Sequence, residues 1–121
     1  MKIGISSGNA TAIAELKNTA TAKAIYNALP MEGAANIWGG EIYFVIPVNL
    51  KPEDDAKEIV EIGDIAYWPE GSCFCIFFGR TPASKGNEIR AASKVNVFGR
   101  LKDASAFNKV KNSDLIILEK A

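Results

Sequence analysis

Few side chains in this sequence could carry chemistry, and most of them border one short apolar stretch. Cys73 and Cys75 alternate along the run CFCIFF, while Glu41, Arg80 and Arg90 border apolar segments. The chain contains no histidine, so a serine or cysteine nucleophile would lack its usual general base. The residue types therefore disfavour nucleophilic catalysis.

The two cysteines supply at most half of a metal site. Without histidine or a second cysteine pair, the other ligands would have to be carboxylates or come from another subunit. Buried thiols are the stronger interpretation, because free cysteine is commonly a small buried hydrophobe. Residues i and i+2 of one strand also have poor disulfide geometry. We expect reduced cysteines, no metal and no cofactor.

The elements that would position these groups centre on residues 63–82, GDIAYWPEGSCFCIFFGRTP. Two strands, Ile65–Trp68 and Cys73–Phe78, are predicted to form a hairpin around the turn Pro69–Gly71. Both faces of the second strand are apolar, with these residues on alternate sides: Cys73, Cys75 and Phe77, then Phe74, Ile76 and Phe78. This strand should be central in its sheet or present one face as a binding surface.

The rest of the chain is predicted to be mainly short strands. Apolar alternation predicts strands over Lys2–Ser6, Ala10–Leu16, Glu41–Val48, Lys94–Leu101 and Asp114–Glu119. A helical period between Ala22 and Leu29, with Asn18 or Thr19 as N-cap, predicts one helix, and residues 103–110 predict a second. Residues 31–40 are expected to be a loop, residues 51–61 a solvated connection, and residues 88–92 are ambiguous.

Length and charge exclude several classes of protein. A chain of 121 residues fits a single domain over residues 1–121. Fourteen basic and fourteen acidic residues balance, which disfavours a nucleic-acid partner or a basic membrane anchor. No stretch has the apolar length of a signal peptide or membrane span. The sequence therefore predicts no membrane association and a cytoplasmic location.

Four segments carry a resemblance to a known family. They are WGGEIYFVIPV at Trp38–Val48, GDIAYWPEG at Gly63–Gly71, IFFGRTPAS at Ile76–Ser84 and VNVFGRL at Val95–Leu101. Together they resemble the small archaeal and bacterial cyclophilin-like proteins of uncharacterised function. The resemblance implies a mainly β fold, a closed antiparallel β-barrel of about eight strands with two short helices. Fold transfers from such a resemblance more readily than function.

A more distant resemblance to the cyclophilin prolyl isomerases bears on catalysis. Phe44 stands where those enzymes have the catalytic arginine, and Val95 stands where they have a histidine. Phe78 matches their proline-pocket phenylalanine, whereas Trp68 replaces a small residue. The resemblance thus leaves one wall of an isomerase groove without its catalytic groups, which argues against an enzyme.

The same resemblance defines a candidate binding site, called the groove patch below. It consists of Phe44, Trp68, Ile76, Phe78 and Val95, with Arg80 beside it. This facing puts Cys73 and Cys75 inside the barrel, and Glu41 with them, where Arg80 or Arg90 would have to neutralise its charge. The competing interpretation is that the aromatic residues are simply core.

These observations favour a binding module that holds a peptide segment or a small apolar ligand on the groove patch. One alternative is a weak peptidyl-prolyl cis-trans isomerase. A second alternative is that the patch is a homodimer interface, so the chain is expected to be a monomer or a homodimer. The ligand and the roles of Glu41 and Arg90 stay open.

Overall fold

The computed structural model describes all 121 residues. Ten strands, one α-helix and one 3₁₀-helix follow in chain order: β1 Lys2–Ser7, β2 Ala10–Leu16, α1 Ala20–Asn27, β3 Met31–Ala34, β4 Asn36–Trp38, β5 Glu41–Val45, β6 Lys57–Val60, β7 Asp64–Trp68, β8 Cys73–Phe77, β9 Ile89–Leu101, the 3₁₀-helix Ala104–Phe107, and β10 Leu115–Lys120. The mainly β prediction and the central hairpin, β7 and β8, are confirmed.

All strand pairs are antiparallel, and the sheet runs in the order β3, β10, β1, β2, β9, β7, β8, β5, β4, with β6 paired to β9. The two end strands, β3 and β4, do not pair with each other. They are consecutive in the chain and joined through Ala35. The predicted closed barrel is therefore wrong: a covalent connection, not a hydrogen-bonded ladder, links the ends of an open sheet.

The helix predictions hold at one position and fail at the other. Thr19 is the N-cap of α1, and its hydroxyl accepts a hydrogen bond from the Ala22 N–H at 3.1 Å. The second predicted helix is only one 3₁₀ turn, capped by Asp103, whose carboxylate accepts from the Ser105 N–H at 2.9 Å. Short polar side chains that bond to the backbone locally favour caps and turns over longer helices.

Two segments predicted as loop or solvated connection contain strands. Residues 31–34 form β3 and residues 36–38 form β4, and glycine is needed in β3 because a Cβ on Gly33 would lie 2.7 Å from Phe44 Cδ2. Residues 57–60 form β6, whose Val60 is buried. Both segments have a composition typical of turns and loops, so the sequence does not indicate the strands. In β3 the glycine allows close packing, and in β6 the charged residues lie on an exposed strand edge.

The side chains of the sheet form two cores on its opposite faces. A larger core of 20 buried residues includes Phe44, Phe74 and Phe98, with Phe44 and Phe74 stacked at 5.4 Å. A smaller core of 9 buried residues includes Cys73, Cys75 and Phe77. Strand β8 contributes alternate residues to both, so every one of its side chains is buried.

Residues 46–53 are attached to the sheet by two buried polar side chains. The Tyr67 hydroxyl donates to Val48 O at 2.6 Å and accepts from the Leu50 N–H at 3.1 Å. Asn96 accepts from the Glu53 N–H at 2.8 Å and donates to Lys51 O at 3.0 Å and to Thr21 Oγ1 at 3.1 Å. Asn96 thereby joins β9, α1 and the segment before β6.

Replacement of Asn96 by alanine should be strongly destabilising. Asn96 is 1% exposed, and its loss leaves the Glu53 N–H and Lys51 O without their partners, at ~1–3 kcal/mol for each unsatisfied buried group. We expect the free energy of unfolding to fall by about 2–4 kcal/mol in urea denaturation. The exposed Asn87 is the control, and Asn87→Ala should change stability by less than ~0.5 kcal/mol. Equal effects of the two substitutions would contradict this role.

Candidate functional site

A pocket of about 260 Å³ opens on the smaller-core face of the sheet. It lies where β4, β5, β7 and β9 come together, and is called the aromatic pocket below. Its lining residues are Trp38, Glu41, Tyr43, Trp68, Ala91, Ala92 and Val95. Six of the seven are hydrophobic, so Glu41 is the one ionisable carboxyl on its wall. An apolar pocket with a single convergent polar group is the usual form of a ligand site.

Strand register and one close backbone contact position the wall formed by β4 and β5. Trp38 on β4 pairs with Glu41 on β5, and Tyr43, two residues after Glu41, lies on the same face of β5. The turn before β5 contacts the segment after β8 so closely that a Cβ on Gly40 would lie 2.2 Å from the Gly79 carbonyl carbon. The Gly40 N–H donates to Arg80 O at 2.7 Å. Glycine at position 40 is therefore required to hold this wall in place.

The Trp68 indole is fixed by a hydrogen-bonded chain at the pocket edge. Its Nε1–H donates to Ser93 Oγ at 2.6 Å, and the Ser93 hydroxyl donates to Glu70 Oε2 at 3.0 Å. Tyr43 meets the Trp68 ring edge to face, with centroids 6.5 Å apart and planes at 78°. Half-buried and held on two sides, Trp68 is a preformed wall rather than a mobile side chain.

Glu41 has no cationic partner. The chain's ion pairs join Arg90 to Glu88 at 2.6 Å and to Glu58 at 3.8 Å, and Arg100 to Glu61. Arg80 donates to the backbone at Ser84 O. Neither Arg80 nor Arg90, the two partners that the sequence leaves open for Glu41, neutralises its charge. Arg80 bonds to the backbone of its own loop, and Arg90 pairs with Glu88 and Glu58.

The isolation of Glu41 changes its acidity. The side chain is only 6% exposed, and burial raises the pKa of its carboxyl from 4.5 to about 7, against a smaller lowering by a hydrogen bond with the Cys75 thiol. Removal from water disfavours the charged form of an acid. At neutral pH this carboxyl therefore exists as a mixture of its neutral and ionised forms.

The two cysteines are poor nucleophiles. Both are free and buried, as predicted. Burial, and then the neighbouring Glu41 charge, raise the pKa of Cys73 above its usual value, and the same causes raise the pKa of Cys75 much further. Since the thiolate is the reactive form, these thiols serve as small packing groups beneath the pocket. No group of three or more His, Cys, Asp or Glu side chains is arranged to hold a metal ion.

The structure separates the residues of the groove patch instead of bringing them together. Trp68 and Val95 line the aromatic pocket. Phe44 and Ile76 lie in the larger core at 1% and 0% exposure, and Phe78 packs against that core. Arg80 is exposed in the loop after β8. The expected single exposed patch is therefore wrong.

The sequence analysis groups the residues of β8 correctly by face, but it assigns the two faces to the wrong sides of the sheet. The alternation along β8 is as predicted, but the stacked Phe44 and Phe74, with Phe98 edge to face against Phe74, fill the larger core. The short side chains of Cys73 and Cys75 consequently take the face with the smaller core and the pocket. Large aromatic side chains bury the most apolar surface where the enclosed volume is greatest.

Sequence reasoning missed Trp38, Tyr43, Ala91 and Ala92 as pocket residues and left the role of Glu41 open. The two glycines that follow Trp38 predict a loop there. The available signal was the Gly39-Gly40 pair, because a two-residue hairpin turn there pairs Trp38 with Glu41 on one face, and Tyr43 follows Glu41 on that face. Nothing in the sequence marks the two alanines.

Comparison with known proteins identifies the family. The family model described as Cyclophilin-like matches residues 1–119. The chain belongs to this family. The solution structure of the hypothetical protein AF2241 from Archaeoglobus fulgidus is similar at 39% sequence identity and a TM-score of 0.86, over 100% of this chain and 95% of that one. No curated protein matches the chain.

The membership confirms the resemblance found in the sequence and leaves activity to be argued from this cyclophilin-like chain's own pocket. None of its helices has the length and apolar character needed to span a membrane.

The raised pKa of Glu41 predicts a specific dependence of stability on pH. Because the folded-state pKa of about 7 lies above the ordinary 4.5, the folded state binds more protons between these values, and stability falls as the pH rises through them. Glu41→Gln removes this loss. Relative to the parent, we expect the variant to gain up to about 3 kcal/mol between pH 5 and pH 8, at ~1.4 kcal/mol for each pH unit between the two pKa values.

Urea denaturation at pH 5, 6, 7 and 8 measures the effect. Glu61→Gln is the matched control, since Glu61 is exposed and pairs with Arg100, and its stability difference should be nearly independent of pH over this range. A difference for Glu41→Gln that stays constant from pH 5 to pH 8 would show that this carboxyl is not desolvated.

Proposed function

We propose that this cyclophilin-like chain is a binding module that holds a small ligand, or one side chain of a peptide, in the aromatic pocket. The observation that supports this most directly is a preformed apolar pocket with one buried, unneutralised carboxyl on its wall. Structural cores rarely leave an acidic group without a cationic partner. The combination is therefore better explained by an external partner than by packing.

The size of the pocket limits its occupant. Its volume of about 260 Å³ lies just below the ~300–1,000 Å³ of sites for drug-sized ligands. A small molecule or a single side chain fits this volume, whereas an extended peptide would contact only the rim. An apolar binding surface is also what the sequence predicts, but the proposed site lies on the face of the sheet opposite to Phe78.

Small apolar probes test this proposal. Cyclohexanol, phenol and the peptide acetyl-Ala-Pro-Phe-amide are titrated separately into ¹⁵N-labelled protein. We expect saturable shifts of the Trp68 indole N–H and of the backbone amides of Tyr43 and Val95 with at least one probe. Trp68→Leu should weaken binding about tenfold, given that a stacked aromatic contributes ~1 kcal/mol or more beyond its buried area. Phe78→Leu, on the other face, should bind like the parent.

The other outcomes are decisive. Absence of saturable shifts with every probe, or binding that survives Trp68→Leu, would overturn the pocket as the site. Concentration-dependent shifts of the same residues without any probe, together with a dimer in sedimentation velocity, would assign this surface to the homodimer interface instead.

Prolyl isomerase activity is expected to be absent or very weak. Phe44, at the position of the catalytic arginine in the resemblance, is buried in the larger core, and no cationic side chain lines the aromatic pocket. The rotating amide would thus lack an electrostatic donor. Exchange spectroscopy on the same Ala-Pro peptide should show interconversion near the uncatalysed ~0.01–0.1 per second. Clear acceleration at catalytic protein concentration would contradict this expectation.

A further inference from the structure

Glu41 restricts the chemistry of the occupant more sharply than the apolar walls do. Glu41 is 6% exposed, lines the aromatic pocket and takes part in none of the chain's ion pairs. The neighbouring thiol of Cys75 is a weak donor, and it also donates to Cys73 O at 3.9 Å. The carboxylate is therefore left without the charge that normally compensates burial.

Aromatic side chains form the other walls of the same pocket. Trp38, Tyr43 and Trp68 come from three different strands, β4, β5 and β7, and all three line the volume that Glu41 reaches. The negative faces of aromatic rings attract cations, and tryptophan does so most strongly. Rings and carboxylate thus favour the same sign of charge in the occupant.

Apolar surface and positive charge must coexist in one small ligand. A strongly hydrated metal cation would need several oxygen, nitrogen or sulfur ligands, and no such cluster is present. An anion would be repelled by Glu41. An ammonium ion carrying alkyl groups spreads its charge under an apolar surface, loses little hydration on burial and matches both kinds of wall.

We propose that the aromatic pocket binds a small alkylated ammonium ion, with Trp38, Tyr43 and Trp68 as its aromatic walls and Glu41 as its anionic partner. This inference rests on the proposed binding function and specifies the ligand class. The cation replaces the partner that Glu41 lacks, and the aromatic walls exclude water from the pair.

Among the ionisable groups around the pocket, the Glu41 carboxyl is the one whose protonation state should govern binding. Strand β8 presents Cys73 and Cys75, whose pKa values burial raises, so both stay neutral. Strand β5 adds Tyr43, and β7 adds Asp64, whose carboxylate accepts from the Glu61 N–H at 2.9 Å. Strand β4 has no ionisable side chain, and on β9 Arg90 and Arg100 are paired and Lys94 is exposed.

Binding of a cation should therefore be linked to loss of the Glu41 proton. With a pKa of about 7 in the free protein, the carboxyl is mostly neutral at pH 6 and mostly ionised at pH 8. A cation that binds the ionised form should bind about tenfold more tightly at pH 8 than at pH 6. A neutral ligand that accepts a hydrogen bond from the protonated acid would show the opposite trend.

A matched pair of probes tests the charge. Choline and its uncharged isostere 3,3-dimethylbutan-1-ol have nearly the same shape, and both are titrated into the full chain by calorimetry and by the Trp68 indole N–H signal. We expect choline to bind at least about tenfold more tightly than the isostere at pH 8. A tripeptide with trimethyllysine at its centre distinguishes a side chain from a free small molecule as the source of the ammonium group.

Two substitutions of glutamate by glutamine complete the test. Glu41→Gln should remove both the preference for choline and its pH dependence, while Glu61→Gln, outside the pocket, should leave both unchanged. Equal affinities for choline and the isostere, or tighter choline binding at pH 6, would overturn the cation inference but leave the pocket as a binding site. If neither probe moves the Trp68 signal, the cation inference falls, and the apolar-probe titration decides the proposed function separately.

Discussion

Burial of both faces of β8 is the constraint on which the rest of this structure depends. All five residues Cys73–Phe77 are buried, so each face of the sheet must carry its own covering layer. The larger core lies on one side, with α1 and the 3₁₀-helix contributing to it. On the other side, β6 and the first part of long β9 cover the strand only partly. The pocket lies where that thinner layer ends.

The hairpin formed by β7 and β8, and the membership of the family, could be read from the sequence because both depend on local patterns. Alternation identifies which residues of β8 share a face, and the Pro69–Gly71 segment fixes the turn. Alternation does not say which face is the interior of the larger core. That choice depends on the volumes of Phe44 and Phe98, which reach β8 from strands distant in the sequence, so the predicted facing was inverted.

The closure of the sheet and the site could not be predicted for related reasons. Barrel closure depends on whether β3 and β4 pair, which a count of strands does not reveal. The site depends on Trp38 and Ala91, which strand pairing brings to one pocket from segments 53 residues apart in number. The sequence indicates that Glu41 is costly to bury, but the absence of a cationic partner follows only from the contacts of Arg80 and Arg90 in the structure.

An open pocket on a sheet surface requires some side chains to be too short to fill it. Ala91 and Ala92 provide this on β9, and Cys73 and Cys75 provide it in the layer beneath. Larger residues at these four positions would fill the smaller core and cover Glu41, which would leave its carboxyl with neither water nor a partner. The same small residues that limit the smaller core therefore leave the Glu41 carboxyl accessible to a ligand. Because Trp38, Tyr43 and Trp68 are held on strands, that access needs no rearrangement of the fold, and binding energy is not spent on ordering the walls.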